Sequence, residues 1–433
     1  MLCMQVKYCF LHNGVKINVL NLRFILVIRT MPAKRILILT NRVPYPLHDG
    51  GNMATDAMVR GYASQGWDVY LLSMNTSRHH LGKDVLAGLY KDIYRFQTVD
   101  INNEVTPAQV LQNLLFSSQP NHATRFTKPV FQQAILQAID SFQPDVVQVE
   151  SVFLSGYLPA IREATIALIT LRLHNIEWQV WQRVAAAEKN LFKKWYISNL
   201  SARIRNYEKK VWQQYDVLIP ITATDAQVVD EHAKHPQVIT IPFGINTDTQ
   251  VQQADEKWCG YHIGAMDWLP NQDAIHWFAK EVWQTVRAQN PDFEFYFAGR
   301  NMPDVFNAYN SNGLHCMGEV ADAQSFISDK KILIVPLRSG GGIRVKILEA
   351  MAAGKVVIST SVGMQGIDAI DGQHYLMANT PQAFADAISI MLQDKIAAQA
   401  IAGHAKELVA ASYNAPFLAG KLSGTLTALM NSR

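Results

Sequence analysis

The sequence predicts an α/β protein made of two doubly wound domains. Its 433 residues exceed what one hydrophobic core usually holds, so two domains are expected. Each half contains a strand–loop–helix–strand pattern, at residues 35–73 and 331–360, and the strands are short continuous apolar runs. Such runs are typical of parallel strands buried on both faces. A hydrophobic content of 49% and a charged content of 17% exclude a disordered or fibrous chain.

The first half opens with an apolar strand, Arg35 to Thr40. The loop NRVPYPLHDGG, residues 41–51, leads into a helix, and a second strand follows at Trp67 to Ser73. This unit lacks the G-x-G-x-x-G fingerprint, which disfavours dinucleotide binding. On its residues alone, the loop fits a plain proline-rich turn as well as a ligand-binding loop. Further strands are predicted at Gln143 to Glu150, Ile166 to His174, Val217 to Ile221 and Val238 to Pro242.

His174 is the candidate site residue of this half. It ends a predicted buried strand and begins the motif HNIE, which runs to Glu177. A single histidine is more often structural than catalytic. The carboxyl ends of parallel strands, however, are where α/β sheets place their ligands. The position of His174 therefore favours a role in a site.

A basic and aromatic tract, residues 182–212, follows this motif and is predicted to be helical. Its cations and rings are Arg183, Lys189, Phe192, Lys193, Lys194, Trp195, Tyr196, Arg203, Arg205, Tyr207, Lys209, Lys210 and Trp212. Such a run is most often the solvated face of two packed helices, and we favour that interpretation. The alternative is a surface that meets an anionic membrane and receives a lipid-linked acceptor.

The second half again alternates strands and helices. Strands are predicted at Tyr261 to Asp267, Phe293 to Ala298 and Leu314 to Gly318, and WLPNQDAIHWFAKEVW is an amphipathic helix. From Thr380 the chain is helical and rich in alanine, and its last segment is Asn414 to Met430.

The most informative stretch is KILIVPLRSGGGIRVKILEAMAAGKVVISTSVGMQGI, residues 331–367. A buried strand is followed by three consecutive glycines, and a helix then runs to a glycine stop signal and a second strand. Glycines between a strand and a helix let an anionic ligand approach the backbone. The helix N-terminus supplies free amide hydrogens and a partial positive charge.

Three charged residues lie in the first turns of this helix, namely Arg344, Lys346 and Glu349. Two cations and one carboxylate beside an anion site suit a ligand that carries both phosphates and vicinal hydroxyls. A nucleotide sugar is such a ligand. The alternative is an ordinary crossover of an α/β sheet with glycines in a tight turn.

The segment GGGIRVKILEAMAAGKVVIST resembles the signature of the retaining GT-B glycosyltransferases of family four, the former group 1. In many members the signature is a glutamate, seven residues, and a second glutamate followed by Ala-Met-Ala. Glu349 matches the second glutamate, whereas Gly341 stands where the first would be. A branch of the family with a glycine-rich loop followed by Arg-x-Lys-x-Leu-Glu fits better. This departure concerns how the donor sugar's hydroxyls are held.

Three other segments resemble parts of the same family. The P-Y-P loop with Gly50 and Gly51 resembles its first loop, HNIE its active-site histidine motif, and PFGIN at 242–246 its interdomain linker. The resemblance implies the GT-B architecture, two Rossmann-like domains facing across a cleft. It implies an acceptor domain at 31–243, a nucleotide-sugar domain at 244–412, and a helix at 413–433 that crosses back to the first domain.

Residues 1–30 are expected to be an extension outside the core. Met31 begins the family-like start, and the apolar run before it is interrupted by Arg23 and Arg29, without a cleavage site for a signal peptide. No window of about 18 uncharged apolar residues predicts a transmembrane helix. The alternative for this extension is a peripheral anchor.

The resemblance implies metal-independent, hexosyltransferase-type transfer from a nucleotide diphosphate donor to a glycan or lipid-linked acceptor, with retention at the anomeric carbon. The expected context is the synthesis of a cell-surface polysaccharide or glycoconjugate. The catalytic candidates are His174, Lys346 and Glu349. The donor-binding candidates are Gly340, Gly341, Gly342, Arg344, Arg300, Gly50 and Gly51.

Each candidate has an expected role. Lys346 and Arg344, with the helix N-terminus, would stabilise charge on the leaving diphosphate. Glu349 would bind the ribose hydroxyls, and His174 would orient the donor sugar. No two aspartates are separated by one residue, so the Asp-x-Asp metal motif is missing and neither a metal nor another cofactor is predicted.

Composition bounds the partners and the compartment. A net charge of +3 is too small to argue for nucleic acid. The four cysteines show neither metal spacing nor a disulfide framework, so a cytoplasmic protein is expected, active at the inner face of the membrane if the tract at 182–212 binds lipid. Two alternatives stay open. One is a sugar-nucleotide epimerase, and the other is a non-catalytic GT-B subunit that scaffolds a partner transferase, which Gly341 supports.

Overall fold

The computed structural model describes residues 33–47, 50–106, 108, 112–113, 117, 119–233, 237–245, 247, 256–340 and 342–433. The predicted extension at residues 1–30 and Gly341 lie outside this part of the chain. Residues Lys34–Arg433 form one compact unit that contains two parallel sheets. None of the described helices is long and apolar enough to cross a bilayer.

The first sheet has six parallel strands. They are β1 (Arg35–Thr40), β2 (Asp68–Thr76), β3 (Arg95–Ile101), β4 (Val146–Val149), β5 (Leu168–Leu173) and β6 (Val217–Pro220). Their spatial order is β3–β2–β1–β4–β5–β6. Because the direction of winding reverses between β1 and β4, the carboxyl ends of these strands border the crevice where doubly wound sheets bind ligands.

The second sheet also has six parallel strands. They are β7 (Lys257–Ile263), β8 (Phe295–Ala298), β9 (Leu314–Cys316), β10 (Lys330–Val335), β11 (Val356–Ser359) and β12 (Leu376–Met377). Their order, β9–β8–β7–β10–β11–β12, repeats the order of the first sheet. The winding reverses between β7 and β10. The predicted pair of doubly wound sheets is therefore confirmed.

Helices flank both sheets. Those of the first half are α1 (Gly50–Ser64), α2 (Lys83–Gly88), α3 (Asn121–Thr124), α4 (Pro129–Phe142), α5 (Leu158–Ala164), α6 (Glu177–Ala187), α7 (Leu191–Trp212) and α8 (Ala223–Ala233). Those of the second half are α9 (Leu269–Trp277), α10 (Trp283–Gln289), α11 (Ala323–Ser328), α12 (Val345–Ala352), α13 (Pro381–Gln393), α14 (Lys395–Ser412) and α15 (Ala415–Asn431). A π-helical segment, Phe278–Val282, joins α9 to α10, and short 3₁₀ helices occur at Ser77–His79, Val152–Tyr157 and Asp304–Tyr309.

The strands separate the core of the first half into two layers. Side chains alternate along β1, so Leu37 and Leu39 pack into one hydrophobic cluster and Ile36 and Ile38 into the other. All four side chains are fully buried. Burial of each such side chain contributes about 1.5–3 kcal/mol, which explains why continuous apolar runs form central strands. The second sheet is divided in the same way.

The last helix packs against the first half of the chain. Leu418, Leu422 and Leu426 of α15 belong to the cluster under β1 and β2. The indole Nε1 of Trp67 donates to Ser423 Oγ at 2.7 Å. A Cβ atom at Gly61 of α1 would lie 2.6 Å from the Cβ of Ala419, so α1 and α15 touch where only glycine fits.

Two predicted elements of the first half differ in the structure. Instead of a strand, residues 238–242 form a single bridge between Val238 and Leu218. The neighbouring strand β6 ends at Pro220, which accepts from Ile241 N at 3.0 Å but has no N–H to donate, so the ladder lacks its next hydrogen bond. The helical tract at 182–212 is two helices, α6 and α7, and the side chain of Asn190 caps the second by accepting from Lys193 N at 3.1 Å.

Candidate active site

A buried carboxylate and a histidine meet at the carboxyl ends of two neighbouring strands. Glu150 directly follows β4, and His174 directly follows β5. His174 Nε2 lies 2.8 Å from Glu150 Oε2. The side chain of Glu150 is only 2% exposed, while that of His174 is 20% exposed and reaches the pocket at this edge of the sheet. The structure thus gives the predicted site histidine an acidic partner.

A line of hydrogen bonds holds Glu150 from behind. Tyr62 Oη donates to Gln148 Oε1 at 2.7 Å, and Gln148 Nε2 donates to Glu150 Oε1 at 2.5 Å. Tyr62 belongs to α1 and Gln148 to β4, so a helix and a strand of the core fix the carboxylate. Restraint of this kind orients the imidazole of His174.

The charge state of Glu150 sets the tautomer of His174. Burial alone would raise the pKa of Glu150, but hydrogen bonds and charges from His174, Arg172 and Gln148 hold this pKa below its usual value. The ionised carboxylate can only accept, so Nε2 of His174 carries the hydrogen. Nδ1 is then the ring nitrogen that can meet a ligand.

The pocket around this pair has a volume of about 420 Å³. Its walls come from the carboxyl ends of β1, β2, β4 and β5 and from the start of α1. It includes Gly51, one of the predicted donor-binding residues, and Glu177 of the HNIE motif. It also includes Arg78 and Arg125, which no sequence pattern singled out. Glu150 could have been recognised from the sequence, because it is a carboxylate at the end of a predicted strand, and the next predicted strand ends at His174.

The glycine loop of the second half lies against the first. Gly340 and Gly342 have φ angles of +124° and +78°, which other residues rarely adopt. A Cβ at Gly340 would lie 2.7 Å from both Arg344 Nη2 and the ring of Trp268. At Gly342 the nearest atom would be Asn175 Oδ1, at 3.8 Å. Because Asn175 follows His174 and lines its pocket, the loop borders that pocket.

Arg344 is held at the start of α12. Its guanidinium lies over the ring of Trp268, 5.1 Å from the ring centre, and its Nη1 donates to Gly342 O at 2.7 Å. The residue is buried, and burial followed by repulsion from Arg183 lowers its pKa to about 10. The cation therefore braces the glycine loop through a backbone carbonyl.

Lys346 points toward the end of β7. Its Nζ lies 2.9 Å from Ile263 O, 3.2 Å from Asn271 Oδ1 and 3.0 Å from His262 Nε2. His262 Nδ1 pairs with Ile334 O at 2.9 Å, so the imidazole donates there and accepts from Lys346. Burial and then the charge of Arg344 lower the pKa of Lys346 to about 7. His262 could have been noticed in the sequence because it is a polar residue inside an apolar strand.

Arg300 follows β8, the strand next to β7. Its Nη2 lies 3.6 Å from Asp267 Oδ2, and its side chain is partly exposed. Its backbone oxygen accepts from Met266 N at 2.8 Å, which ties the ends of β7 and β8 together. Arg300 is thus at the same edge of the sheet as Lys346, where it is engaged with a carboxylate of the next loop.

Glu349 occupies a different place from His174. It lines a second pocket of about 460 Å³ together with Met53 and Ala57 of α1 and residues 243–245 of the linker. The residues described around this pocket are distinct from those around His174. Burial raises the pKa of Glu349.

The two pockets lie on opposite sides of α1. One turn before Glu349, Val345 approaches Gly50, the first residue of α1, with 3.6 Å between its Cγ2 and a Cβ built on the glycine. Gly51 faces the His174 pocket, and Met53 faces the Glu349 pocket. The structure brings His174, Gly51 and the glycine loop together and sets Glu349 apart from them. In the part of the chain that the structure describes, no three His, Cys, Asp or Glu side chains are grouped to hold a metal ion.

Comparison with known proteins finds a family match in the second half of the chain. Residues 260–394 match the family described as Glycosyl transferases group 1. The matched segment runs from β7 to α13 and includes the glycine loop, Arg344, Lys346 and Glu349. The chain is 23% identical to an uncharacterised 44.6 kDa protein in the cps region of Klebsiella pneumoniae. The alignment spans 364 residues and covers 81% of this chain and 89% of that protein.

Solved structures share the whole architecture. Sucrose-phosphate synthase from Thermosynechococcus elongatus is similar with a TM-score of 0.65 and 16% identity, over 92% of this chain and 100% of that one. HepE from Anabaena, in complex with UDP-glucose, is similar with a TM-score of 0.60 and 11% identity, over 91% of this chain and 99% of that one. The chain has the GT-B fold.

Proposed function

We propose that this protein is a retaining glycosyltransferase that moves a hexose from a nucleotide-sugar donor to a glycan or lipid-linked acceptor. The observation that carries the proposal is the meeting of the glycine loop of the group 1 domain with the His174 pocket, through Gly342 and Asn175. A donor held by that loop has its sugar next to a pocket of the other domain. Support also comes from HepE, whose structure contains UDP-glucose.

The difficult step is departure of the nucleoside diphosphate, on which negative charge grows. In this proposal, the free amides at the start of α12 and the cations Arg344 and Lys346 stabilise that charge. Lys346 Nζ lies among three acceptors, so its amino group is already oriented before the donor binds. In this proposal the cations and amides supply the stabilisation, and no metal is needed.

His174 and Glu349 act on the sugar and the nucleoside. Glu150 holds His174 with Nδ1 toward the ligand. This nitrogen accepts a hydrogen bond from a hydroxyl of the donor sugar, which positions the anomeric carbon. Glu349 binds the ribose hydroxyls. Because Val345 lies next to Gly50 between the two pockets, a donor that reaches both sites requires α1 and α12 to separate there.

The name of the Klebsiella relative supports a context in polysaccharide synthesis, since it places that protein in a cps region. We propose a cytoplasmic enzyme that works on a cell-surface polysaccharide or glycoconjugate. A lipid-linked acceptor would bring the enzyme to the inner face of the membrane.

A donor screen tests the proposal. UDP-, GDP- and dTDP-sugars are added to the full chain, and the one that raises the melting temperature is then used in transfer and donor-hydrolysis assays. We expect one nucleotide class to stabilise the protein, and His174→Ala to lower turnover at least tenfold while it leaves nucleotide affinity within about twofold. Failure of every nucleotide sugar to bind would overturn the proposal.

Membrane contact is proposed for the junction of α6 and α7. Phe192 is 87% exposed and Trp195 62% exposed, and Lys193 and Lys194 lie beside them. Exposed rings among lysines suit an anionic bilayer surface. Lys193→Glu with Lys194→Glu should abolish co-sedimentation with vesicles of anionic lipid, whereas Lys406→Glu, an exposed change in α14, should not. Equal binding by wild type and the double variant would instead support the interpretation that the tract is a solvated helix surface.

A further inference from the structure

The pocket beside His174 carries an excess of positive charge. Its charged and ionisable side chains are Arg42, Arg78, His79, Arg125, Glu150, Arg172, His174 and Glu177. Four arginines thus face two carboxylates. Small-molecule pockets of some hundreds of Å³ usually hold only a few convergent polar groups. An excess of positive charge in such a pocket therefore favours an anionic ligand.

The two carboxylates offset only part of the charge of the four arginines, although the charge of Glu177 does act on Arg125. Glu150 is taken up by His174 and Gln148, and its charge acts on the fully buried Arg172. Burial raises the pKa of Glu177 to about 7, so a good part of this carboxyl is protonated at neutral pH. Arg78 and Arg125, together with Arg42, carry the remaining positive charge of the pocket.

Arg78 and Arg125 lie close enough to repel each other. Burial, and then the charge of Arg78, lowers the pKa of Arg125. The guanidinium of Arg125 lies over the ring of Phe126, 4.7 Å from its centre. Among the described residues, the buried Nε of Arg125 has no hydrogen-bond partner. Two neighbouring arginines, one with an unused buried N–H, form the donor set that a phosphate group matches.

We propose that this pocket binds the phosphate of a phosphorylated acceptor, through Arg78 and Arg125. The inference rests on the proposed function and names the acceptor class that the His174 pocket selects. The donor diphosphate has its own cations, Arg344 and Lys346, in the other domain. The acceptor phosphate belongs either to a soluble sugar phosphate or to the diphosphate of a lipid-linked sugar. Both present the same oxygens to the arginines.

Binding of phosphate probes to the full chain tests this proposal. Isothermal titration is carried out with glucose 6-phosphate, farnesyl diphosphate, glucose and UDP. Arg78→Gln and Arg125→Gln each remove one guanidinium, and Arg95→Gln removes an exposed arginine of β3 outside the pocket. We expect at least tenfold weaker binding of a phosphate probe in the two pocket variants, with wild-type binding in Arg95→Gln, since charged hydrogen bonds of this kind each account for about that factor. UDP affinity should not change in any variant.

The probes also separate the two sources of phosphate. Preference for farnesyl diphosphate would indicate a lipid-linked acceptor, and preference for glucose 6-phosphate a soluble one. The inference is overturned if both phosphates bind no better than glucose, if the pocket variants bind them like wild type, or if these variants lose UDP instead. Because Arg78 is exposed, Arg78→Gln keeps the test valid should Arg125→Gln fail to fold. A wild type that binds a phosphate probe but no nucleotide would contradict the proposed function and leave the phosphate site standing.

Discussion

At the residue scale, Lys346 shows how burial adjusts a cation for an anionic ligand. Three acceptors surround its Nζ, yet burial and Arg344 bring its pKa to about 7. A diphosphate beside the ammonium would restore the charged form, because an opposite charge at close range raises the pKa of a lysine. Donor binding should therefore be coupled to uptake of a proton.

The coupling predicts how nucleotide affinity depends on pH. Above about pH 7, Lys346 is mostly uncharged in the free protein, so the dissociation constant of UDP should rise by up to about tenfold per pH unit between pH 7.5 and 9. Titration calorimetry in two buffers of different ionisation enthalpy measures the proton directly. Lys346→Met should bind UDP more weakly and show little of this dependence. A wild-type affinity that does not change with pH would contradict the prediction.

Glu349 is the residue for which binding and packing make different predictions. If Glu349 binds the ribose, its replacement by alanine removes one or two charge-assisted hydrogen bonds of about 1.5–3 kcal/mol each. Nucleotide affinity should then fall at least tenfold. Glu349→Gln should be milder because it keeps the shape and one acceptor. Titration of the nucleotide into both folded variants measures the effect.

The position of Glu349 on α12, facing α1, supplies the competing explanation. A purely structural carboxyl would give variants with altered unfolding free energy and wild-type affinity. Urea denaturation of the same samples therefore distinguishes the two explanations. Wild-type affinity in Glu349→Ala would remove this residue from the site.

At the element scale, the start of α6 depends on a side chain of α7. The carboxyl oxygens of Glu208 accept from Glu177 N at 3.2 Å and from Trp178 N at 2.9 Å, which satisfies two free amides of the helix end. Glu208 is fully buried. Burial raises its pKa to about 8, and burial raises that of Glu177 to about 7. This cap holds the helix that follows HNIE and thereby one wall of the His174 pocket.

The raised pKa values predict that stability decreases as pH rises. In the unfolded chain both carboxyls titrate near pH 4.3. Between pH 5 and 8 the folded protein therefore binds more protons than the unfolded chain, so the free energy of unfolding should fall as pH increases, by up to about 1.4 kcal/mol per pH unit for each group. Urea denaturation between pH 5 and 8 measures this slope.

A glutamine at position 208 tests the origin of that slope. Glu208→Gln cannot ionise, so its unfolding free energy should depend less on pH than that of the wild type. Glu231→Gln, at an exposed position in α8, serves as the control and should keep the wild-type slope. Identical slopes in Glu208→Gln and wild type would contradict the assignment.

At the scale of the whole molecule, the C-terminal helix packs against the first half of the chain. α15 buries three leucines on the first sheet, and α1 approaches it at Gly61. The helix begins next to residues 243–245 of the linker, where Ala415 N donates to Ile245 O at 2.9 Å. One helix thus ties the linker between the sheets to the core of the first sheet.

Because of the close contact at Gly61, we expect a Gly→Ala change there to lower the free energy of unfolding, whereas the same change usually raises it in a helix. In a helix interior, Gly→Ala normally stabilises by about 0.5–1 kcal/mol. Gly61→Ala should instead destabilise by about 1–3 kcal/mol, because its Cβ would overlap that of Ala419. Gly424→Ala, in α15 with open space around it, should be stabilising. Urea denaturation measures both.

A compensating change checks the cause. Gly61→Ala combined with Ala419→Gly removes the overlap and should recover most of the lost stability. An unfolding free energy of Gly61→Ala at or above the wild-type value would show that α1 and α15 can adjust to the extra methyl group.

Much of this molecule is determined by local sequence. The buried strands are continuous apolar runs, and the glycine loop is followed by a helix because glycines adopt the required φ angles and the residues after them favour a helix. His174 could be singled out because the end of a parallel strand is itself a local feature. Two doubly wound sheets follow from the order of such elements, since right-handed crossovers leave few other arrangements.

The partners of the site residues were decided only by tertiary structure. Glu150 and His174 are 24 positions apart, and Lys346 is 84 positions from His262. Arg78 and Arg125 come from two connections that carry no motif. Glu349 faces α1 because α12 lies next to that helix. Local periodicity determines which face of an element is buried. Which polar side chains meet depends on strand register and helix docking, and these are set by the packing of the whole core.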